Sequence, residues 1–536
     1  MRLPRALLAT AVTLLVISGL TVQGSFRSQP AEPFDVLIRN GRVMDGSGNP
    51  WLRLDIGVRG DRIVAVGRLG NAPAQRTIDA GDRLVTPGFI DVHSHAAEGL
   101  PHPDLRQGRP LLSQGITTVV VNPDGGGPVD LARQRAALTG GGVGPNVALL
   151  IGHGSVRRNV LGAANRPPTA EELDRMRALV RAAMDEGAYG LSSGLFYTPG
   201  SFAQTEEVIA LAQVAAEFGG LYTSHIRDEG DYNIGVVAAV QEVIRIAEEA
   251  AIPGIVSHMK ALGPDNWGLA PALTQRIETA RARGVQVFAD QYPYEASSTN
   301  LGAALLPGGV TVPAPEELLR SIESLTPAER VERARLEQAV AENLRRRGGA
   351  EAIQIAFHRA DASLEGRTLG EIAAMRGTTP ERAALALMAG GGASIVSYNM
   401  SEDDIRHIMR KPYTMTSSDG GLVLPTSGKP HPRNYGAFSR KLALYVREGR
   451  VLDLEFAIRS MTSLPASVFG IRDRGLIREG AVADLLIFDP ALVRDRATYT
   501  DPHQLAEGMA YVLVNGVVVV DEGRFTEALP GKVLRK

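Results

Sequence analysis

A short apolar run, Val85 to Val92, is interrupted by Pro87-Gly88 and ends on two histidines one residue apart, in Phe89-Ile90-Asp91-Val92-His93-Ser94-His95. In an extended segment residues i and i+2 project to the same side, so both imidazoles can reach one point beyond the strand's C-terminal end. Imidazole is the commonest metal ligand. The pair is therefore either half of a metal site at the mouth of a barrel or two polar residues where a strand becomes a loop. The rest of the chain decides between these readings.

From this point the sequence alternates β and α. Strand-like segments end near His95, Val121 (115–121), Gly154 (147–152), Gly194 (189–193), His225 (221–225), His258 (254–258), Tyr292 (285–291) and Asp419 (413–418). Amphipathic helical segments at 170–186, 204–218 and 234–250 lie between them. Eight strands with intervening helices predict an α/β fold, a (β/α)8 TIM-like barrel over residues 87–465. The interval between the seventh and eighth strands is too long for a simple connection. It carries a charged helical insertion at about 302–350, densest at 313–347, then a further strand-like piece at 353–357. Long insertions at the catalytic face of a barrel often act as lids.

Both ends of the chain have a different texture. Val36-Leu37-Ile38 runs into Asn40-Gly41, and Ile56-Gly57-Val58 into Gly60-Asp61, which are hairpin signals. The C-terminal part repeats the style at 483–488 and 511–520, around Asn515-Gly516. Sheet edges need covering, so residues 34–86 and 466–536 are expected to pair into one small β-sandwich domain.

The formal net charge of the 536 residues is −2 with no basic block, which gives no reason to expect nucleic acid or an anionic surface as a partner. Arg2 and Arg5 precede an apolar run from Ala6 to Val22, followed by Gln23-Gly24-Ser25. That layout predicts a signal peptide over 1–25, a linker over 26–33, and export to the periplasm or the medium. The run is shorter than the ~20 residues of a spanning helix; an uncleaved anchor is the alternative, and otherwise no membrane contact is expected of the mature form. The chain has no cysteine. Disulfides and a lipoprotein anchor are excluded, and any metal site must be built from His, carboxylate or modified Lys.

That restriction sharpens the histidines. Of ten, four end predicted strands: His93, His95, His225 and His258. Asp419, in Thr416-Ser417-Ser418-Asp419-Gly420, ends the eighth. Each alone reads as a polar strand end facing solvent. Together, at the C-terminal ends of barrel strands, they point to a metal centre. Two motifs are decoys. Gly190-Leu191-Ser192-Ser193-Gly194 matches the serine-hydrolase elbow, but loop residues rather than a helix follow it. Gly125-Gly126-Gly127-Pro128 lacks the lysine and spacing of a phosphate loop. His153 either lines the pocket or is structural.

These features resemble the amidohydrolase superfamily and, within it, the N-acyl-D-amino-acid deacylases (D-aminoacylases). The resemblance runs from Phe34 to Lys536 and is carried by PGFIDVHSH (87–95), GHGSVR (152–157), GLSSGLFYTPG (190–200), SHIRDEG (224–230), SHMK (257–260), NWG (266–268), YPYEASST (292–299), SSDGG (417–421) and HPRNYGAF (431–438). It implies hydrolysis of the linear amide of an N-acyl-D-amino acid, releasing a carboxylate and a free D-amino acid. It also implies a Zn2+ cofactor, with one ion bound tightly and room for a second. The deacylases usually place a zinc-ligating cysteine just after the second strand; here Asp124 falls in that place, either as a replacement ligand or as a turn residue before the glycines. No lysine lies between His95 and His225, so the carboxylated lysine of related amidohydrolases has no counterpart.

The resemblance implies that His225, His258 and Asp124 hold one zinc, that His93, His95 and Asp419 hold the second position, and that Asp419 shuttles the proton from water to the leaving amine. It gives Arg433 and Tyr197 the substrate's α-carboxylate, for which a planar fork and a hydroxyl donor are suited. Tyr292, Tyr294, Ser297 and Ser298 complete the pocket on this view, or else pack and cap a strand end. Lys260 pairs with an acidic substrate side chain or with a neighbouring carboxylate. The alternative reactions are cyclic-imide (hydantoin-type) and β-aspartyl dipeptide hydrolysis; an alternative of another class is a non-catalytic exported binding protein on the same scaffold.

Overall fold

The computed structural model describes residues 32–306 and 324–536. The expected signal peptide and the linker up to residue 31 lie outside the described residues, as do 307–323 of the insertion. Among the described residues no helix is long and apolar enough to cross a membrane.

The apolar run that opens the barrel is divided by Gly88. Leu84–Pro87 belongs to a nine-stranded sheet, whereas Phe89–Asp91 is the first barrel strand. A Cβ on residue 88 would run into the Thr117 side chain, so the crossing between the two bodies requires glycine. The nine-stranded sheet takes strands from both chain ends: Leu485–Phe488 pairs antiparallel with Leu84–Pro87 and with Met509–Val514. Val36, Ile38, Ile56, Val58, Leu485, Ile487 and Leu513 form its core.

Eight parallel strands make the barrel: Phe89–Asp91, Ile116–Val121, Asn146–Leu149, Gly190–Gly194, Leu221–His225, Gly254–Val256, Val287–Gln291 and Thr414–Thr416. Almost every residue in them is buried, as expected for strands covered on both sides. The third strand resumes after Leu150 as Ile151–Gly152, which pairs with Leu191-Ser192 of the fourth, and ends at Gly152 as the sequence suggests; His153 then begins the helix His153–Leu161. Eighth and first strands close through the Asp91 carboxylate and a short stretch of backbone pairing beyond it. Ser418 donates from N (2.9 Å) and Oγ (2.5 Å) to Asp91, and Gly420-Gly421 pairs with Ser94-His95.

Two regions depart from the expected layout. The insertion is a small three-stranded antiparallel sheet (Ala296–Asn300, Ala393–Tyr398, Ile353–His358) with helices that include Pro327–Arg346, and it has its own apolar core. The final residues do not stay with the β-sheet domain. Pro530 and Val533 bridge to Val143 and Val147, so the tail runs along the entry to the third barrel strand, where its backbone groups find partners.

Candidate metal centre and substrate cavity

The C-terminal ends of the barrel strands open into a cavity of about 1120 Å³ whose walls include His95, Asp124, Tyr197, His225, His258, Ser298, Asp419, His431 and Arg433. His93 lies just beneath the floor, 1% exposed. Two donor groups converge there and share one residue: His93, His95, Asp124 and Asp419, and Asp124, His225 and His258. Asp124 Oδ1 is 3.3 Å from His93 Nε2 and 3.5 Å from His258 Nε2, and Oδ2 is 3.3 Å from His95 Nε2. Asp419 Oδ1 is 3.2 Å from His95 Nε2 and 3.6 Å from His93 Nε2. His225 Nδ1 and His258 Nε2 face each other at 2.9 Å.

Local backbone aims these groups. Asn122, Asp124, His258 and Asp419 all take positive φ (63°, 56°, 34° and 49°), rare for residues with a Cβ. Each kink is pinned. The Asn122 amide donates to Leu150 O, the His258 N–H to Asp290 Oδ1 (2.9 Å), and the Asp419 N–H to His93 O (2.9 Å). Gly152 must be glycine because a Cβ there would collide with the Gly125 and Gly126 carbonyls, the backbone that carries Asp124.

The electrostatics favour positive charge at the centre. Burial pulls the His95 pKa down, but hydrogen bonds to Asp124 and Asp419 carry it up to about 10. Burial outweighs the nearby carboxylates at His225, pushing it down to about 4 and keeping the ring neutral, with one nitrogen lone pair to offer. Burial alone would raise Asp124 and Asp419; the surrounding imidazoles, and Arg433 in the case of Asp419, instead hold both well below the ordinary carboxylate range. His93 Nε2 and Asp124 Oδ1 are buried without any hydrogen bond. Converging imidazole nitrogens, two ionised carboxylates and orphaned buried acceptors fit divalent cations.

Arg433 starts the helix Arg433–Arg440 and is 5% exposed. Its Nη1 pairs with Asp419 Oδ2 at 2.7 Å, its guanidinium sits 4.7 Å from the centre of the Tyr292 ring, and its Nε makes no hydrogen bond. Tyr197 packs its ring against His225 (4.5 Å between centroids), and burial pushes its phenol pKa up, so it stays a donor.

Four residues expected at the substrate do not reach the cavity wall. Lys260 is 3% exposed and ion-pairs with Glu229, the neighbouring carboxylate behind His258. Tyr294 turns into the core, with its hydroxyl on Pro432 O and its ring under Arg440. Tyr292 lies beneath Arg433 rather than beside the cavity. Ser297 points away to Asn399, while Ser298, its neighbour on the strand, faces the cavity, as the two-residue period requires.

The decoys resolve as structural. Ser192 donates to Asn122 O, and Ser193 bonds the Tyr222 hydroxyl, both fully buried. His153 belongs to a buried trio with Glu207 and Arg157. The sequence reading missed three acids that orient the centre. Glu229 Oε1 lies 3.0 Å from His258 Nδ1, which turns the Nε2 lone pair to the metal side. Asp91, its pKa raised by burial to about 6, and Asp290 hold the strand-end loops. Asp91 stood inside PGFIDVHSH and Asp290 just before YPYE, an acid at an otherwise apolar strand end in each case.

A barrel with histidines and an aspartate at its strand ends, beside a sheet built from both chain termini, defines a metal-dependent amidohydrolase. The sequence profile of the Amidohydrolase family matches residues 76–520. An N-acyl-D-glutamate deacylase of Alcaligenes xylosoxydans xylosoxydans is 37% identical over 528 residues, 94% of this chain and 97% of the relative. A D-aminoacylase of the same organism is 35% identical over 532 residues, 94% and 98% of the two chains. The crystal structure of N-acyl-D-glutamate deacylase from Bordetella bronchiseptica, complexed with zinc and a phosphonate mimic of the tetrahedral intermediate, is 38% identical, with a TM-score of 0.79 over 94% of this chain and 100% of that one. The chain belongs to the amidohydrolase family and, within it, to the N-acyl-D-amino-acid deacylases.

Proposed function

We propose that the protein is a zinc-dependent hydrolase of N-acyl-D-amino acids that releases a carboxylate and a free D-amino acid. The observation that carries the substrate is Arg433, a buried guanidinium on the cavity wall whose Nε donor is left unsatisfied beside the metal-ligand cluster. His225, His258 and Asp124 would hold one zinc and His93, His95 and Asp419 a second. When bound, the metal supplies a Lewis acid that brings the pKa of water to about 7 and neutralises the developing oxyanion.

The chain's own groups do the rest. Arg433 and the Tyr197 hydroxyl grip the α-carboxylate, and Ser298 lines the wall beside them. Asp419, kept ionised by its surroundings, accepts the proton of the attacking water and delivers it to the amide nitrogen as the C–N bond breaks. That delivery is needed because an unprotonated amine leaves poorly.

The layout of residues 1–25 supports a signal peptide and export; N-terminal sequencing of the mature protein tests it. The test of the function is amine release by zinc-loaded protein from N-acetyl D- and L-amino acids, beside a hydantoin control and an Asp419→Asn variant. D-selective turnover that the variant loses is expected. Silence on every acyl amino acid with zinc bound would move the assignment to the cyclic-imide or dipeptide reaction.

A further inference from the structure

The loop after the fifth barrel strand carries an aromatic side chain that the reaction described above does not use. Asp228, fully buried, folds this loop around its own carboxylate. Its Oδ1 accepts the N–H groups of Gly230 (2.9 Å) and Tyr232 (3.2 Å), and its Oδ2 those of Asn233 (2.6 Å) and Gly235 (3.0 Å). A carboxylate that gathers four backbone donors fixes the path of the loop, and with it the place of Tyr232.

Tyr232 stands between the insertion and the substrate cavity. Arg346, which ends the helix Pro327–Arg346, and Arg347 after it bring their guanidiniums to 5.5 Å and 5.6 Å from the centre of its ring. Arg347 is 2% exposed and has no carboxylate partner among the described residues. A cation–π contact gains strength where the cation is desolvated, so the ring is firmly held. The Tyr232 hydroxyl reaches Ala304 O (3.4 Å), on the insertion's other flank.

From Tyr232 a series of rings leads to the substrate. Phe196 meets Tyr232 at 5.4 Å and 81°, and meets Tyr197 at 5.4 Å and 86°. Perpendicular aromatic pairs are directional, so moving the first ring moves the last. The Tyr197 hydroxyl is tied in turn to Thr299 Oγ1 (3.2 Å), on the insertion's strand Ala296–Asn300. Both ends of the series are thus anchored in the insertion.

We propose that Tyr232 is a positioning residue for the reaction: through Phe196 it holds the Tyr197 hydroxyl where the α-carboxylate is gripped, so that the docked insertion sets the preference for a free carboxylate. Tyr232 itself is not part of the cavity wall. The proposal rests on the reading of Tyr197 as a carboxylate donor.

The test compares kcat/KM on an N-acetyl-D-amino acid and on its neutral α-carboxamide, using full-length, zinc-loaded protein. The wild type should prefer the acid. Tyr232→Leu should reduce that preference about tenfold, and Tyr232→Phe, which keeps the ring, should restore it to within about twofold. In a Tyr197→Phe background Tyr232→Leu should change the ratio no further, because the hydroxyl that it positions is gone. A general loosening of the fold would slow both substrates alike and leave the ratio unchanged. A second readout needs no substrate. In protein labelled with 3-fluorotyrosine, the Tyr197 resonance, assigned by its absence from Tyr197→Phe, should shift in Tyr232→Leu and keep its place in Tyr232→Phe.

A folded Tyr232→Leu with the wild-type ratio, or with its full loss repeated in the Tyr197→Phe background, overturns the proposal. If Tyr232→Leu does not fold by circular dichroism, Phe196→Leu takes its place with the same expectations. A wild type indifferent to the carboxylate sinks the substrate reading of Tyr197; the fluorine resonance then decides the positioning role by itself, and an unmoved resonance refutes it. A wild-type preference that Tyr232→Leu leaves intact sinks this proposal alone.

Discussion

Replacing Arg433 with methionine removes the charge and the fork while keeping a long side chain over Tyr292. Two effects are expected, and they can be separated. Asp419 Oδ2 loses the partner 2.7 Å away, which impairs the proton shuttle whatever the substrate. The substrate loses a charge-assisted hydrogen bond from the guanidinium, whose Nε has no partner in the protein, worth about 1.5–3 kcal/mol. At a factor of ten per 1.4 kcal/mol, that second loss is about 10-fold to 150-fold in kcat/KM. A matched pair of substrates, an N-acetyl-D-amino acid and its neutral α-carboxamide, isolates it, because the Asp419 effect is common to both and cancels in the ratio. The variant should therefore lose about 10-fold to 150-fold more on the acid than on the carboxamide, and Arg433→Lys should recover part of the difference without the bidentate geometry. Equal losses on the two substrates, within about threefold, would refute Arg433 as the carboxylate receptor and leave it a positioning residue for Asp419.

Asp419→Asn removes the proton acceptor and should lower kcat by about a hundredfold to ten-thousandfold; metal analysis of the same protein checks that the loss is not simply lost zinc. Glu207→Gln leaves Arg157, fully buried, without its counter-charge, and should destabilise the fold by about 3–5 kcal/mol in denaturant titration with little change in kcat/KM of the folded enzyme; a shift under 1 kcal/mol would mean the trio is not the buried ion pair described. Lys441 is buried, donates to Thr416 Oγ1 (2.7 Å) and Ser460 Oγ (2.9 Å), and has its pKa pushed down by burial from 10.5 to about 7. Between those values the unfolded chain carries the extra proton, so stability contributed at this site rises with pH, by on the order of 3 kcal/mol from pH 7 to pH 9. Unfolding free energies of wild type and Lys441→Met across that range check the sign; parallel curves would refute it.

The barrel was legible because strands buried on both faces read as uninterrupted apolar runs, and because its polar residues are concentrated where those runs end. His93, His225, His258 and Asp419 announce themselves by that contrast. The YPYEASST segment was not legible residue by residue. Tyr294 turns to Pro432 and Arg440, and Ser297 and Ser298 take opposite faces. One of these orientations depends on strand alternation, but the others depend on partners more than a hundred residues away. Lys260 shows the same limit. Its place two residues after His258 suggested a shared face toward the substrate; what decides its direction is Glu229, from the preceding strand's loop. The tail at 530–534 carries no signal at all, since its backbone pairing with Val143 and Val147 exists only in three dimensions.

The strained strand ends and the buried acids behind them are one device. Residues with a Cβ at positive φ cost about 1–3 kcal/mol each and persist only where the surroundings over-determine them. At Asn122, His258 and Asp419 the determinants are an amide bonded to Leu150 O, an N–H bonded to Asp290, and an N–H bonded to His93 O beside the Ser418–Asp91 clasp. Asp91 and Asp290 therefore act at one remove. They touch no cavity, yet they set the directions of His258 and Asp419, which must meet at one point with Asp124. Groups held in this way do not reorganise when charge develops on the substrate, and that is the condition under which fixed dipoles and ligands stabilise a transition state more than a ground state. The kinks at Asp124, His258 and Asp419 thus belong to the chemistry as much as the side chains they carry.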